Sequence, residues 1–167
     1  MDRRDLLQAA ALAPLLPALW ESSATASPID PAQTFTLQPE DITFSSWADL
    51  PAGSGEMAKL SGDFDKPGPY LVLMRWNPGW FSAPHSYATD RIQVVVSGIW
   101  HVNSGRDFDP DNAVPVRAGG FVKRTARTFH YDGVPSGGAE PAVVAVFGVG
   151  PVDIRLAEPG KPTYRQA

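Results

Sequence analysis

Apolar and polar residues alternate along most of the chain from residue 56 onward, which is the pattern of half-buried β-strands. The alternating runs are short, and clusters of Gly, Pro and Asp separate them. Strands are predicted at 56–61, 70–76, 91–97, 99–102, 120–123, 128–131, 142–147 and 152–156. This spacing, with no segment of helical period, predicts an all-β sandwich or barrel.

Gly98 stands between two of these runs and is the type of residue that tight turns require. We therefore expect residues 91–97 and 99–102 to pair as a hairpin. The chain has 167 residues, the size of one domain, and its 17 Pro and 15 Gly favour strands joined by turns over a helical bundle. Residues 34–162 are predicted to form the domain, and residues 163–167 a C-terminal tail.

The first 26 residues have the composition of an export signal. Arg3 and Arg4 precede an apolar stretch of fifteen residues, 6–20, and the small residues at 24–26 offer a site for a signal peptidase. Prolines interrupt the stretch, and it is shorter than the ~20 residues that a membrane span needs. The pattern resembles a twin-arginine signal, which implies export to the periplasm and no membrane partner after cleavage. Residues 27–33 are predicted to form a flexible lead to the domain.

The composition excludes several classes of function. Fourteen basic and eighteen acidic residues give a net charge of −4, without the basic stripe of a general nucleic-acid-binding protein. The chain has no cysteine, which excludes disulfide scaffolds, thiolate metal sites and cysteine nucleophiles. Any chemistry must come from His, Tyr, Arg and carboxylate side chains, and the expected partner is a small molecule.

Two segments carry most of the residues with chemical potential. The first, residues 78–98, reads PGWFSAPHSYATDRIQVVVSG, and the second, residues 118–132, reads AGGFVKRTARTFHYD. Their order and separation resemble the two motifs of the cupin superfamily, and the chain is most similar to small single-domain bacterial cupins near the cupin domain of the anti-sigma factor ChrR. The resemblance covers residues 34–162 and implies a jelly-roll β-barrel, or double-stranded β-helix, and a homodimer.

The cupin motifs usually offer three histidines and one glutamate to a metal ion, and this sequence keeps part of that set. The first motif, counted back from its final glycine, places His85 and Tyr87 at the two histidine positions and Arg91 at the glutamate position. The second motif ends at His130, and its usual Pro-x-Gly corner is replaced by residues 125–127, Thr-Ala-Arg. The resemblance therefore implies a degenerate metal site.

Strand alternation predicts which of these side chains meet, because residues two apart share one face of a strand. Gln93 is predicted to bind the substrate, and Trp80 and Phe129 are predicted to contact it at the mouth of the pocket, where apolar ligands enter such barrels. The side chains expected to face the interior are His85, Tyr87, Arg91, Gln93, Val95, His130 and Asp132.

A guanidinium at the glutamate position opposes a bound metal ion. A unit charge about 4 Å from a doubly charged ion costs on the order of 8 kcal/mol at an effective dielectric constant near 20. Arg91 must therefore point away, pair with an acid such as Asp90 or Asp132, or serve a site without a metal.

Three interpretations remain open. In the first, His85 and His130 hold a divalent metal (Fe, Mn, Ni, Zn or Cu), with Tyr87 as a ligand or general acid. In the second, the pocket is metal-free, Arg91 binds an anionic group, and a histidine or Tyr87 moves a proton. In the third, the histidines sit in a barrel without chemistry. We predict an exported small-molecule enzyme of oxygenase, isomerase or lyase type, or alternatively a metal-free binding or sensory cupin without turnover.

Overall fold

The computed structural model describes residues 34–47 and 49–167. The chain divides into two units, Met1–Gln38 and Pro39–Ala167, and every strand of the described residues belongs to the second. The predicted export signal and lead lie outside the described residues. Within the described part of the chain, no helix has the length and apolar character needed to cross a membrane.

Two antiparallel sheets form the second unit, as the alternating pattern predicts. The first sheet has the order β1-β2-β10-β5-β8. The second has the order β11-β4-β9-β3-β12, with β6 paired to β9 and β7 paired to β6. The bounds are β1 Gly55–Ser61, β2 Gly68–Trp76, β3 Trp80–Ser82, β4 His85–Tyr87, β5 Arg91–Ser97, β6 Ile99–Ser104, β7 Val114–Arg117, β8 Phe121–Arg124, β9 His130–Val134, β10 Ala142–Gly150, β11 Ile154–Leu156 and β12 Tyr164–Gln166, with short 3-10 helices at Pro39–Asp41 and Pro110–Asn112.

The predicted hairpin at Gly98 is wrong. Strand β5 pairs with β10 and β8 of the first sheet, whereas β6 pairs with β7 and β9 of the second. Gly98 has a φ of +73°, and a Cβ at this position would lie 2.4 Å from the carbonyl oxygen of Pro141. The glycine therefore carries the chain from one sheet to the other in a single residue, which a larger residue could not do.

The predicted C-terminal tail is also wrong. Residues Tyr164–Gln166 form β12, which pairs with Trp80–Ser82 of β3. Strands β3, β7 and β12 were not predicted, because β3 and β12 have only three residues and Pro115 interrupts the alternation of β7.

The hydrophobic core lies between the two sheets. Strand β5 shows the underlying pattern, because Arg91, Gln93 and Val95 are buried while Ile92 and Val94 are exposed. The alternation predicted for this strand is confirmed. Large apolar core residues come from both sheets and include Tyr70, Val72, Trp76, Val95, Trp100, Val134, Val144 and Val146. Where inward positions of β5 hold Arg91 and Gln93 instead, the interior opens into a cavity.

Candidate functional site

A cavity of about 320 Å³ lies between the sheets. Its volume is at the lower end of the range found for small-molecule pockets. The polar lining residues are Asp65, Ser82, His85, Tyr87, Arg91, Gln93, His130, Asp132 and Thr163. The apolar lining residues are Trp47, Leu50, Met57, Phe64, Met74, Trp76, Val152 and Ile154. Strand alternation thus brings the predicted imidazoles, phenol, guanidinium and amide together in one cavity.

His85 and His130 face each other across neighbouring strands. They are direct partners in the β4–β9 register, and their ring centres are 4.6 Å apart. His85 Nδ1 lies 2.7 Å from the carbonyl oxygen of Ala83, and His130 Nδ1 lies 3.0 Å from that of Thr128. A carbonyl oxygen can only accept, so each Nδ1 carries a proton and each Nε2 of the neutral ring keeps a lone pair. Among the described residues, the buried His130 Nε2 has no hydrogen-bond partner.

Burial keeps both imidazoles neutral. Loss of solvent is the largest cause that lowers the pKa of His130 to about 2, and repulsion from His85 and Arg124 acts in the same direction. Burial also lowers the pKa of His85, although the Asp132 carboxylate opposes the shift. Two neutral imidazoles with available lone pairs can accept hydrogen bonds from a bound molecule.

Arg91 is a buried cation without a carboxylate partner. It is 5% exposed, and it lines the cavity. The two acids considered from the sequence are engaged elsewhere, because Asp90 Oδ2 lies 2.9 Å from Lys123 Nζ and Asp132 Oδ2 lies 3.4 Å from Arg124 Nη2. Arg91 forms no ion pair with any described residue, and its Nε is buried without a hydrogen-bond partner.

The Arg91 guanidinium is held against an aromatic ring. Its central carbon lies 3.2 Å from the centre of the Tyr87 ring and 5.7 Å from that of Tyr70. The face of a phenol attracts a cation, so this stacking positions the guanidinium without neutralising it. Burial raises the pKa of Tyr87 despite the attraction of Arg91, so the phenol stays protonated and can donate a hydrogen bond.

Arg124 is a second buried cation, and it is paired. It lies opposite Arg91 in the β5–β8 register, an arrangement in which like charges repel. Asp132 compensates Arg124, which also donates hydrogen bonds to the carbonyl oxygens of Asn103 at 3.0 Å and Tyr131 at 3.3 Å. The Arg124–Asp132 pair is therefore neutral, and Arg91 remains the uncompensated charge among the buried lining residues.

Two predicted substrate contacts lie outside the cavity. Trp80 packs against the hydrophobic core, with its ring centre 5.6 Å from that of Tyr164. Phe129 precedes the inward-facing His130 and takes the opposite side of the chain, where the Arg106 guanidinium lies 4.2 Å from its ring centre. Phe129 lines a separate depression of about 230 Å³ together with residues that include Arg127 and Arg155.

Sequence reasoning missed the apolar half of the cavity. Met57 on β1 and the pair Met74 and Trp76 on β2 all line it. The alternation of β2 could have placed Met74 and Trp76 on the inner face, but it does not distinguish a cavity wall from a packed core.

The lining residues do not provide a complete donor set for a transition metal. His85 and His130 offer two neutral nitrogen donors, but no group of three or more His, Asp or Glu suited to a metal occurs in the described residues. The neighbouring Arg91 repels a cation, and the raised pKa of Tyr87 works against a phenolate ligand. The two histidines could each donate a nitrogen to a metal ion, but the other residues around the cavity do not complete its coordination.

Solved structures similar to this chain include cupins. The chain is 18% identical to a cupin-2 domain protein from Rhodospirillum rubrum over 77% of this chain and 83% of that chain, with a TM-score of 0.54. It is 15% identical to the polyketide cyclase RemF from Streptomyces resistomycificus over 80% of this chain and 84% of that chain, with a TM-score of 0.56. The chain has the cupin fold.

A further similar structure is that of the DMSP lyase DddQ from Ruegeria pomeroyi DSS-3, with 13% identity, a TM-score of 0.56 and 72% of this chain covered. The chain spans less than two thirds of the length of the DMSP lyases that it matches, 63% of one and 64% of the other. No protein-family model and no curated protein matches the sequence. At these identities the likeness establishes the fold, and the activity must be argued from the site.

Proposed function

We propose that this cupin binds a small organic anion on the Arg91 guanidinium, without a metal ion. The observation that carries the proposal is that Arg91 is buried in the cavity wall and forms no ion pair with a described residue. An unpaired buried charge is costly, and an anionic ligand would offset that cost. The planar guanidinium fork matches the two oxygens of a carboxylate, so a carboxylic acid is the expected ligand class.

The groups around Arg91 support proton transfer to or from the bound anion. His130 Nε2 and Gln93 Oε1 are buried without partners among the described residues, so each can accept a hydrogen bond from a ligand. The negative charge of a ligand bound at Arg91 would favour the protonated form of a neighbouring imidazole and so oppose the lowering of its pKa by burial, which lets that imidazole act as a general base, while the protonated Tyr87 can donate a hydrogen bond. We therefore propose metal-free chemistry of the isomerase or lyase type, with binding without turnover as the alternative.

Calorimetric titration of the purified, chelator-treated protein with hexanoate tests the anion site. Arg91→Gln should lower the affinity for hexanoate at least tenfold. The affinity of Arg91→Lys should lie between those of the wild type and Arg91→Gln, because lysine keeps the positive charge but lacks the planar guanidinium. Arg117→Gln, which changes an exposed arginine on β7, is the matched control and should leave binding unchanged. Thermal unfolding verifies that each variant is folded. Equal affinities for the wild type and Arg91→Gln would refute the proposal.

A metal-dependent enzyme is the second candidate function. It is favoured by the paired His85 and His130, whose Nδ1 atoms donate to backbone carbonyls and leave the Nε2 lone pairs available. The metal would be Fe, Mn, Ni, Zn or Cu. Elemental analysis of protein matured in its native host distinguishes the metal-dependent enzyme from the metal-free anion site. A stoichiometric metal that disappears in His85→Ala would favour the metal-dependent enzyme.

Export by the twin-arginine route is a further proposal, and it rests on residues outside those that the structure describes. Arg3 and Arg4 precede the apolar stretch at 6–20. Changing both arginines to lysine should leave the protein in the cytoplasmic fraction, whereas the unchanged protein should be found in the periplasmic fraction. Periplasmic recovery of the double-lysine variant would contradict the route.

We also propose that two copies of the chain associate through the outer face of the first sheet. Ile92, Val94, Phe121 and Phe147 on this face are each 41% exposed or more, and register pairs join Val94 to Phe121 and Ile92 to Phe147. A continuous apolar patch is unusual on a solvent-facing sheet, and a two-fold axis would cover it with an identical patch. Analytical ultracentrifugation should show a dimer that Val94→Lys dissociates, whereas the control Val114→Lys on β7 should not.

A further inference from the structure

We infer that the anion bound at Arg91 is the head group of an apolar molecule, a monocarboxylic acid with an aliphatic or aromatic body of several carbons. This inference rests on the proposed function and specifies its ligand class. It is carried by the arrangement of polar and apolar side chains along the cavity wall, together with the charge of that wall and the distance between its two halves.

Polar and apolar lining residues stand on different strands. The polar side chains in the interior come from β3, β4, β5 and β9, whereas Met57 of β1 and Met74 and Trp76 of β2 are apolar. Trp47 extends the apolar half, with its ring centre 5.4 Å from that of Trp76. A ligand that contacts both halves must be polar at one end and apolar at the other.

The charge of the wall selects a single negative charge on the ligand. Arg124 is compensated by Asp132, and burial keeps His85 and His130 neutral. Arg91 is then the one uncompensated charge among the buried lining residues of the described chain. Asp65, the remaining charged lining residue, is exposed to solvent and would disfavour a second negative charge on the ligand.

The distance between the two halves sets the length of the apolar body. Strands β2 and β5 are separated by β10 in the first sheet, so the Met74 and Arg91 strands are two spacings apart. Two spacings are about 10 Å, and the registers place Met74 level with Val95, four residues or about 13 Å along β5 from Arg91. The long Arg91 and Met74 side chains cover part of this separation and a body of several methylenes reaches across the rest, whereas acetate would leave the apolar half of the cavity in contact with water.

Titration with butanoate, hexanoate and octanoate tests the inference, with the fluorescence of the cavity residues Trp47 and Trp76 as the readout. Affinity should rise about fifteenfold for each two methylenes, the equivalent of ~0.8 kcal/mol per buried methylene. Octan-1-ol, the uncharged counterpart of octanoate, should bind at least tenfold more weakly.

Met74 provides a matched pair of variants, because it is partly buried on the apolar wall and takes no part in anion binding. Met74→Gln should reduce octanoate affinity at least fivefold and leave butanoate unchanged, whereas Met74→Leu should retain both. Equal affinities across the acid series, with Arg91→Gln still lowering each of them at least tenfold, would overturn the apolar body and leave the anion site intact. Octan-1-ol binding as tightly as octanoate, or no binding of any acid, would overturn the proposed function itself.

Discussion

The central carbon of the Arg91 guanidinium lies 3.2 Å from the centre of the Tyr87 ring. The resemblance to the cupin motif assigns its glutamate position to Arg91 and its second histidine position to Tyr87, and on that assignment the two departures from the motif are in contact. A phenol face attracts a guanidinium, whereas an imidazole with a bound metal would place a second cation beside it. The two substitutions therefore suit each other, and together they favour a site that receives an anion.

The stacking of Arg91 on Tyr87 predicts that the ring, and not the hydroxyl, maintains the anion site. Tyr87→Phe should keep hexanoate affinity within about twofold, because the ring face that holds the guanidinium remains. Tyr87→Leu should lower it about tenfold, since a contact of roughly 1–2 kcal/mol is lost. Calorimetry measures both. If Tyr87→Phe binds as weakly as Tyr87→Leu, the hydroxyl is the group that matters.

The same pair predicts how a metal site can be restored. Arg91→Glu combined with Tyr87→His would place three imidazoles and one carboxylate around the cavity, with His85 and His130 already oriented. We expect the affinity for Zn²⁺ or Ni²⁺ to rise at least a hundredfold over the wild type, because a repelling charge becomes a ligand.

Competition with a chromophoric chelator measures that affinity. Each single variant serves as a control and should gain less than the pair, since one ligand position stays unfilled. An unchanged affinity in the double variant would show that residues 87 and 91 do not occupy the ligand positions of the motif.

The sequence predicts side-chain direction better than strand pairing. The period of two places Arg91, Gln93 and Val95 on one inner face, because the period is a local property of an extended chain. The hairpin at Gly98 is wrong because pairing depends on distant partners, and β5 pairs with β10 rather than with β6. A glycine between two strands is compatible both with a hairpin turn and with a crossing from one sheet to the other, so Gly98 alone does not distinguish them.

The choice of ion-pair partners could not be predicted either. In the sequence, Asp90 and Asp132 are both candidate partners for Arg91. In the structure, Asp90 forms an ion pair with Lys123, and Asp132 forms one with Arg124. The central property of the site, an unpaired buried guanidinium, follows from those two pairings. It can be found only once the strands are placed.

The buried imidazoles predict a loss of stability in mild acid. The pKa of folded His130 is about 2, while that of an unfolded histidine is about 6.5, so below that value the unfolded chain binds more protons. The free energy of unfolding should therefore fall as the pH decreases from about 7 to 5, by up to ~1.4 kcal/mol per pH unit for each such histidine. Burial lowers the pKa of His85 and His101 as well, which acts in the same direction.

Urea denaturation across this pH range measures the slope. His130→Gln removes one titrating group and should reduce the slope relative to the wild type, whatever its effect at neutral pH. An identical slope in the two proteins would mean that His130 becomes protonated in the folded state, which contradicts its neutral, lone-pair-bearing form.

Arg127 predicts a stabilising substitution at the corner before β9. Its φ is +61°, a left-handed conformation that glycine adopts freely and that costs other residues about 1–2 kcal/mol. The resemblance to the cupin corner assigns a glycine position to Arg127, and the Arg127 N–H donates to the carbonyl oxygen of Tyr87 at 2.7 Å. Arg127→Gly keeps this backbone hydrogen bond, so it should raise the free energy of unfolding by up to ~1 kcal/mol and leave hexanoate binding unchanged.

The neighbouring Ala126→Gly has no such strain to relieve and should be destabilising. A lower free energy of unfolding in Arg127→Gly would mean that the arginine side chain, which lies beside Phe129 in the outer depression, stabilises the corner by more than its backbone costs.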